Sequence, residues 1–224
     1  MSSLTKRAVV QTAGFLILFA IIFACAGTIR FWQGWLFCVS FWFSTIAIGI
    51  YLMNRDPALL ERRMRFGPVV ESRPIQKIIV TITFVLFVAL AVVPALDHRF
   101  GWSRVPGAIV VIANILMVAS FGLFLVVLRE NSFAASTITV EAGQRVISTG
   151  PYAHVRHPMY AAATWLFVGI PLALGSWWSV GVIVPLIPVL LWRLLDEENV
   201  LQRDLPGYSE YMRRVRCRLV PFVW

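Results

Sequence analysis

The chain has 224 residues, of which 59% are hydrophobic and only 14% charged, with a formal net charge of +9. Soluble domains carry about 25% charged residues, so this composition excludes a soluble globular domain, and the positive charge reads as membrane topology rather than as a nucleic-acid footprint. With a mean hydropathy of +0.78, the expected class is all-α: a multi-pass integral membrane helical bundle.

Apolar runs of the length that a hydrocarbon core of about 30 Å demands predict helices over about 8–28, 34–53, 75–97 and 107–128. The first follows Lys6-Arg7 and holds Ala24-Cys25-Ala26, a faint likeness of a signal-peptidase site. Its apolar run is longer than a signal core and more spans follow, so it is expected to be retained. A helical hairpin is predicted next, with arms at about 158–174 and 177–195, for five to six spans in all. Pro171, Pro185 and Pro188 interrupt the arms, which is tolerated where neighbouring helices satisfy the freed carbonyls. Gly175-Ser176 supplies the turn. Beyond the hairpin, Tyr208, Tyr211, Met212 and Val215 recur at helical spacing among Arg213, Arg214, Arg216 and Arg218. This predicts a basic amphipathic helix lying at the headgroup level. The expected division is 1–128 as N-terminal transmembrane helices and 129–224 as a catalytic region of loop, hairpin and tail.

Of the 20 Lys and Arg residues, only Arg30, Arg99 and Arg104 fall on one side of these spans, and the other seventeen fall with the N-terminus. That asymmetry predicts both termini in the cytosol. Of the 11 acidic residues only Asp97 falls outside, so polar chemistry should gather in three cytosolic pieces, 54–74, 129–157 and 196–224. Cys25, Cys38 and Cys217 are scattered without ligand spacing, and neither a metal site nor a disulfide framework is expected.

Two polar sets meet at that face. Arg156-His157-Pro158-Met159-Tyr160 precedes the fifth span; Pro158 suits a first helical turn, with His157 near the N-cap. Free N–H groups and the positive helix end there suit a carboxylate or phosphate, and Arg156 adds a bidentate donor. Taken alone, Arg156 reads as a headgroup anchor and His157 as a cap. Asp196-Glu197-Glu198 ends the predicted sixth span, where a helix C-terminus is already partly negative, so a bound cation or a nearby Arg would relieve the acids. Arg193, four residues before Glu197, could supply that relief by simple pairing.

Gly150-Pro151-Tyr152, Arg156-His157-Pro158-Met159-Tyr160, Arg193 with Glu197-Glu198, Leu201, Gly207, Tyr208 and Tyr211 resemble the isoprenylcysteine carboxyl methyltransferase family in order and spacing. Phospholipid N-methyltransferases share this signature more loosely. The resemblance is compact over about 129–218. It implies an S-adenosyl-L-methionine pocket built from the last helices and tail, open to the cytosol and laterally to lipid. The implied cofactor-binding residues are Gln144, Arg145, Val146, Ile147, Tyr152, His157, Pro158, Met159, Tyr160 and Glu197. Arg193 matches a substrate-side Arg. Eukaryotic members carry His at the position of Gln144 and commonly Ser at that of Met159.

For chemistry, a carboxylate acceptor is ionised at neutral pH and needs no base, so Arg156 and Arg193 are the candidates to orient it. An amine acceptor would need a base, and Glu198 is the candidate. The expected partners are a lipophilic substrate entering from the bilayer and membrane lipids, with no nucleic acid. Two other readings stand beside this one. Sterol and steroid reductases share a similar R-H-P-x-Y and Tyr-rich tail and bind NADPH. A scaffold or transporter of the same fold would want an intramembrane charged pathway, which these spans lack.

Overall fold

The computed structural model describes residues 3–221; the side chains of residues 3–8, Lys6 and Arg7 included, and of Gln11 lie outside the described part. The described residues form helices α1 (Ser3–Ala26), α2 (Trp32–Arg55), α3 (Pro57–Met64), α4 (Pro74–Phe100), α5 (Gly107–Glu130), α6 (Pro158–Ala173), α7 (Ile183–Asp204) and α8 (Tyr208–Arg214). Short 3₁₀ turns cover Gly150–Ala153 and Trp178–Val182, and no strand is present among the described residues. Among the described residues, four stretches are long and apolar enough to cross a membrane: Trp32–Arg55, Pro74–Phe100, Gly107–Glu130 and Trp178–Asp204. Thr12–Ala26 and Pro158–Ala173 are apolar but shorter. The chain fits an integral membrane protein, as the expectation had it. Its flanks agree, since Phe43, Ile50, Val85, Ile112, Ile115 and Val184 are all exposed. Exposed apolar surface on this scale is a lipid contact rather than a water contact.

The core is aromatic and tightly stacked. Phe41 of α2 meets Phe15, Phe37, Phe87 and Phe121 at ring centroids of 5.3–6.4 Å, tying α1, α2, α4 and α5 together. Between α5 and α6, Gly169 lets the backbones close: a Cβ there would lie 3.5 Å from the Ala113 carbonyl. Small residues at such contacts let helices approach where lipid offers no hydrophobic drive. Asn114 on α5 bridges the same seam, its Nδ2 donating to the Val110 carbonyl at 2.9 Å and the Ala173 carbonyl at 3.3 Å.

The two ends of the bundle differ in chemistry. At one end, buried Asp97 of α4 accepts from the Ser103 N–H at 2.7 Å and from the Ser103 and Ser176 hydroxyls at 2.5 Å. This staples the α4–α5 connection to the turn after α6. The opposite end holds the C-termini of α2, α5 and α7 and the N-termini of α4 and α6, and most of the charge.

Three features differ from the sequence expectation. The sixth span does not stop near 195: α7 continues to Asp204. A helix does not end because it leaves hydrocarbon, and Glu, Gln, Leu and Arg are all good helix formers. It ends at Leu205, which is extended (φ −105°, ψ 109°) as the residue before Pro206 should be. The acids therefore sit about two turns inside the helix, and their supposed clash with a helix C-terminus disappears. The second difference is α3, in a segment expected only to be polar. Asp56 caps it, accepting from the Leu59 N–H at 2.9 Å, and Pro57 opens it. The third is the tail. Helix α8 is short, and its apolar face does not lie on lipid: Tyr208 and Tyr211 are buried with Leu205 against Val140 and Val146.

Candidate functional site

Three consecutive residues on a helix point about 100° apart, so Asp196-Glu197-Glu198 is not one acidic patch. Asp196 turns to α4, pairing with Arg73 at 2.5 Å and accepting from Gln76 Nε2. Glu198 turns to the tail and is buried: Oε1 accepts from Arg156 Nε at 2.7 Å and contacts His157 Nε2 at 3.2 Å, and Oε2 accepts from Arg218 Nε at 2.8 Å. Glu197, between them, turns to a cavity and accepts from the Tyr160 hydroxyl at 2.6 Å.

That cavity has a volume of about 330 Å³ and is walled by α6, α7, the 131–152 segment, α3 and α8. Every residue expected at the site lines it except Glu198: Gln144 to Ile147, Tyr152, Arg156, His157, Pro158, Met159, Tyr160, Arg193 and Glu197. Met159 and Tyr160 sit in the first turn of α6, where N–H groups have no helical partner. Tyr152 rides on a 3₁₀ turn that begins at Gly150 with φ +55°; a Cβ there would also lie 3.0 Å from the Glu130 carboxyl. Asn131 donates to the Tyr152 hydroxyl at 2.9 Å, and Tyr211 of α8 donates to the Tyr152 carbonyl at 2.7 Å. Burial pushes the Tyr152 phenol up to about 12, with the Asn131 hydrogen bond pulling the other way. Tyr152 is therefore a protonated donor at neutral pH.

A more open apolar recess of about 240 Å³ adjoins the cavity and shares Thr83, Ser136, Phe167 and Arg193 with it. Its outer wall includes Phe84 of α4, 57% exposed on a membrane-facing flank. Residues 103–206 match the phospholipid methyltransferase family model. The matched stretch carries α5, α6, α7 and the loop between them, and hence most of the cavity wall. Among curated proteins no match is found.

Inside this methyltransferase-type region, two expected roles need correction. Arg156 was expected to orient a substrate, but its guanidinium is committed elsewhere. Besides Glu198 it donates through Nη1 to the Val215 and Arg216 carbonyls, both at 3.1 Å, and the residue is 6% exposed. Glu198 was the candidate base, but three donors occupy its carboxylate and it does not reach the cavity. Together with backbone bonds from Arg156 N to the Cys217 carbonyl and His157 N to the Arg218 carbonyl, both 2.9 Å, this cluster straps the tail across the start of α6. The His157 ring thus faces Glu198, and stacks edge-on against Tyr160 at 5.6 Å.

Arg193 does line the cavity. It does not pair with the neighbouring acids as local spacing allowed. Nη1 donates to Gln76 at 2.9 Å, and Nη2 to Glu71 at 3.0 Å and to the Ser136 carbonyl at 2.8 Å. Sequence reasoning missed Arg63, Asn131 and Tyr208 as wall residues. The Asp56-Pro57 helix start was the one signal that could have placed Arg63.

Proposed function

We propose that the protein is an integral membrane methyltransferase that uses S-adenosyl-L-methionine and acts on a lipophilic carboxylate drawn from the bilayer, an isoprenylcysteine-type O-methylation. The observation that carries this reading is one cavity, lined by Glu197, Tyr160 and the start of α6, joined to an apolar recess beside Phe84. The donor set suits the cofactor. Glu197 offers a carboxylate to an ammonium or to ribose hydroxyls, the α6 start offers N–H groups to a carboxylate, and the buried Tyr208 hydroxyl has no partner among the described residues. The cofactor would supply an activated methyl group on a cationic sulfur.

The protein's part is then positioning. Glu71, Gln76 and the Ser136 carbonyl occupy the donors of Arg193 at the boundary between cavity and recess, so it contributes its charge to the acceptor head rather than a free donor, while the apolar wall takes the chain. A carboxylate acceptor needs no base, which agrees with the sealing of Glu198 into the tail cluster. A second reading, N-methylation of a phospholipid amine, is favoured by the family match itself. Glu197 is the one acid among the described cavity-lining residues and would have to take that proton.

Transfer of isotopically labelled methyl by the purified protein separates the two. With S-farnesylcysteine the label should appear as a base-labile ester. Base-stable label on phosphatidylethanolamine alone would replace this reading with the second, and label on neither acceptor would end the carboxylate assignment.

We further propose that the cavity and both chain ends face the cytosol, on the charge asymmetry of the loops. In a cysteine-free background, Trp102→Cys should react with an impermeant maleimide added to intact cells, and Ser72→Cys should not. The reverse labelling pattern refutes that orientation.

A further inference from the structure

We infer that Arg63, outside the matched region, is the anion receptor of this cavity and holds an oxyanion of the acceptor: its carboxylate, or the phosphodiester if the acceptor is a phospholipid. The acceptor's identity rests on the methyltransferase reading; the anion site does not.

Helix α3 delivers Arg63 to the cavity wall, and the Ser136 hydroxyl anchors its backbone by donating to the Arg63 carbonyl at 2.8 Å. The guanidinium has only weak protein partners. Nη1 lies 3.1 Å from the Met159 sulfur and 3.4 Å from the Ala135 carbonyl, and no carboxylate pairs with it among the described residues. Four arginines near it have acids: Arg73 has Asp196, Arg156 and Arg218 share Glu198, and Arg193 has Glu71. Arg62 instead donates to the Ser132 carbonyl at 2.6 Å, and Arg145, also at the wall, is exposed. The charged or polar groups facing Arg63 are instead the phenols of Tyr152 and Tyr160 and the like charge of Arg193.

A guanidinium does not shed its proton, and a half-buried cation that faces a cavity without a counter-charge is under-paired. Burial pulls its pKa down, with Tyr152 opposing. Lipid headgroups do not explain it, because Arg63 lines the cavity while Arg55 and Arg65 are the exposed members of this segment. The missing partner is thus an anion brought by a ligand. A planar fork of donors selects carboxylate or phosphate oxygens. The nearby charge of Arg193, at the edge of the recess, places that anion on the side from which a lipid would come. It also sets it apart from Glu197, which suits the cation of the cofactor.

Calorimetry on the detergent-purified full chain tests this. The probes are S-farnesylcysteine, its methyl ester, dihexanoyl phosphatidylethanolamine and S-adenosylhomocysteine, each against wild type, Arg63→Gln and Arg63→Lys. Arg63→Gln should weaken one anionic acceptor by about tenfold or more, the scale of one charge-assisted hydrogen bond. Arg63→Lys should recover part of the loss, and S-adenosylhomocysteine and the ester should stay within about twofold. Loss confined to S-farnesylcysteine assigns the carboxylate; loss confined to the phospholipid assigns the phosphate. Equal loss for acid and ester, or a matching loss for S-adenosylhomocysteine, overturns the assignment, as does unchanged binding of both acceptors. A wild type that ignores S-adenosylhomocysteine yet binds the acid through Arg63 keeps the anion site and rejects the methyltransferase reading.

Discussion

Glu198→Gln is expected to destabilise the folded protein by about 3–5 kcal/mol, the cost of breaking a buried ion pair from one side, and to free the C-terminal strap. The native carboxylate serves Arg156, His157 and Arg218 at once, with the Arg156 and Glu198 side chains each only 5% exposed. A neutral amide cannot balance two guanidiniums, and its own NH₂ group would face donors. Arg156 would remain buried and uncompensated. The strap at 215–218 would lose the carboxylate that ties Arg218 and Arg156 to α7, and Val215 would hold Tyr208 and Tyr211 in place less firmly. Two measurements check this. Thermal unfolding in detergent should shift strongly downward relative to wild type. Trypsin should also cut faster at Arg213, Arg214 and Arg216, which are exposed but lie on a held segment. Glu210→Gln, on the exposed face of α8, is the control and should change neither. If Glu198→Gln melts like wild type and resists trypsin equally, the cluster does not hold the tail.

The same cluster shows what the sequence could and could not reveal. Apolar run length was enough for α2, α4 and α5, whose ends fall within a few residues of expectation, because in hydrocarbon a helix is the only open-ended way to satisfy the backbone. Proline at 158 was enough to start α6. The family resemblance also named Tyr152, Tyr160, Arg193 and Glu197, which line one cavity. It could not say which way each acid of Asp196-Glu197-Glu198 turns, since that depends on α7 continuing as a helix past the apolar run. Nor could it pair Arg73 with Asp196 or Arg193 with Glu71, partners more than a hundred positions apart. The amphipathic tail was legible as a helix but not as to its cover, because a lipid surface and a protein groove ask for the same periodicity. Arg63 was hidden by its company: in a segment rich in arginine, a count made for topology treats a cavity-facing side chain like any other.

Glu197→Gln should weaken S-adenosylmethionine binding by roughly 1.5–3 kcal/mol, the worth of a hydrogen bond to a charged group, or about tenfold to a hundredfold in affinity. The reason no longer involves a helix terminus, since α7 runs on to Asp204. It lies in the position of Glu197 itself, which is the only acid among the described residues lining the cavity and accepts a hydrogen bond from the Tyr160 hydroxyl at 2.6 Å. Tyr160→Phe leaves the charge but frees its orientation, so it should weaken binding less than Glu197→Gln. The same substitution separates the two cofactor classes. NADPH brings phosphates, which a cavity acid repels, so replacing Glu197 with an amide would improve its binding or leave it unchanged. Of the four described arginines at the wall, Arg156 and Arg193 are neutralised by Glu198 and Glu71, which leaves Arg63 and the exposed Arg145 for a cofactor with several phosphates; Arg213, Arg214 and Arg216 are exposed on the tail, and Arg218 is engaged with Glu198. Calorimetry with both cofactors on wild type and Glu197→Gln therefore has opposite expected signs. Tight NADPH binding that survives the substitution, with no S-adenosylmethionine binding in the wild type, would move the protein to the reductase class.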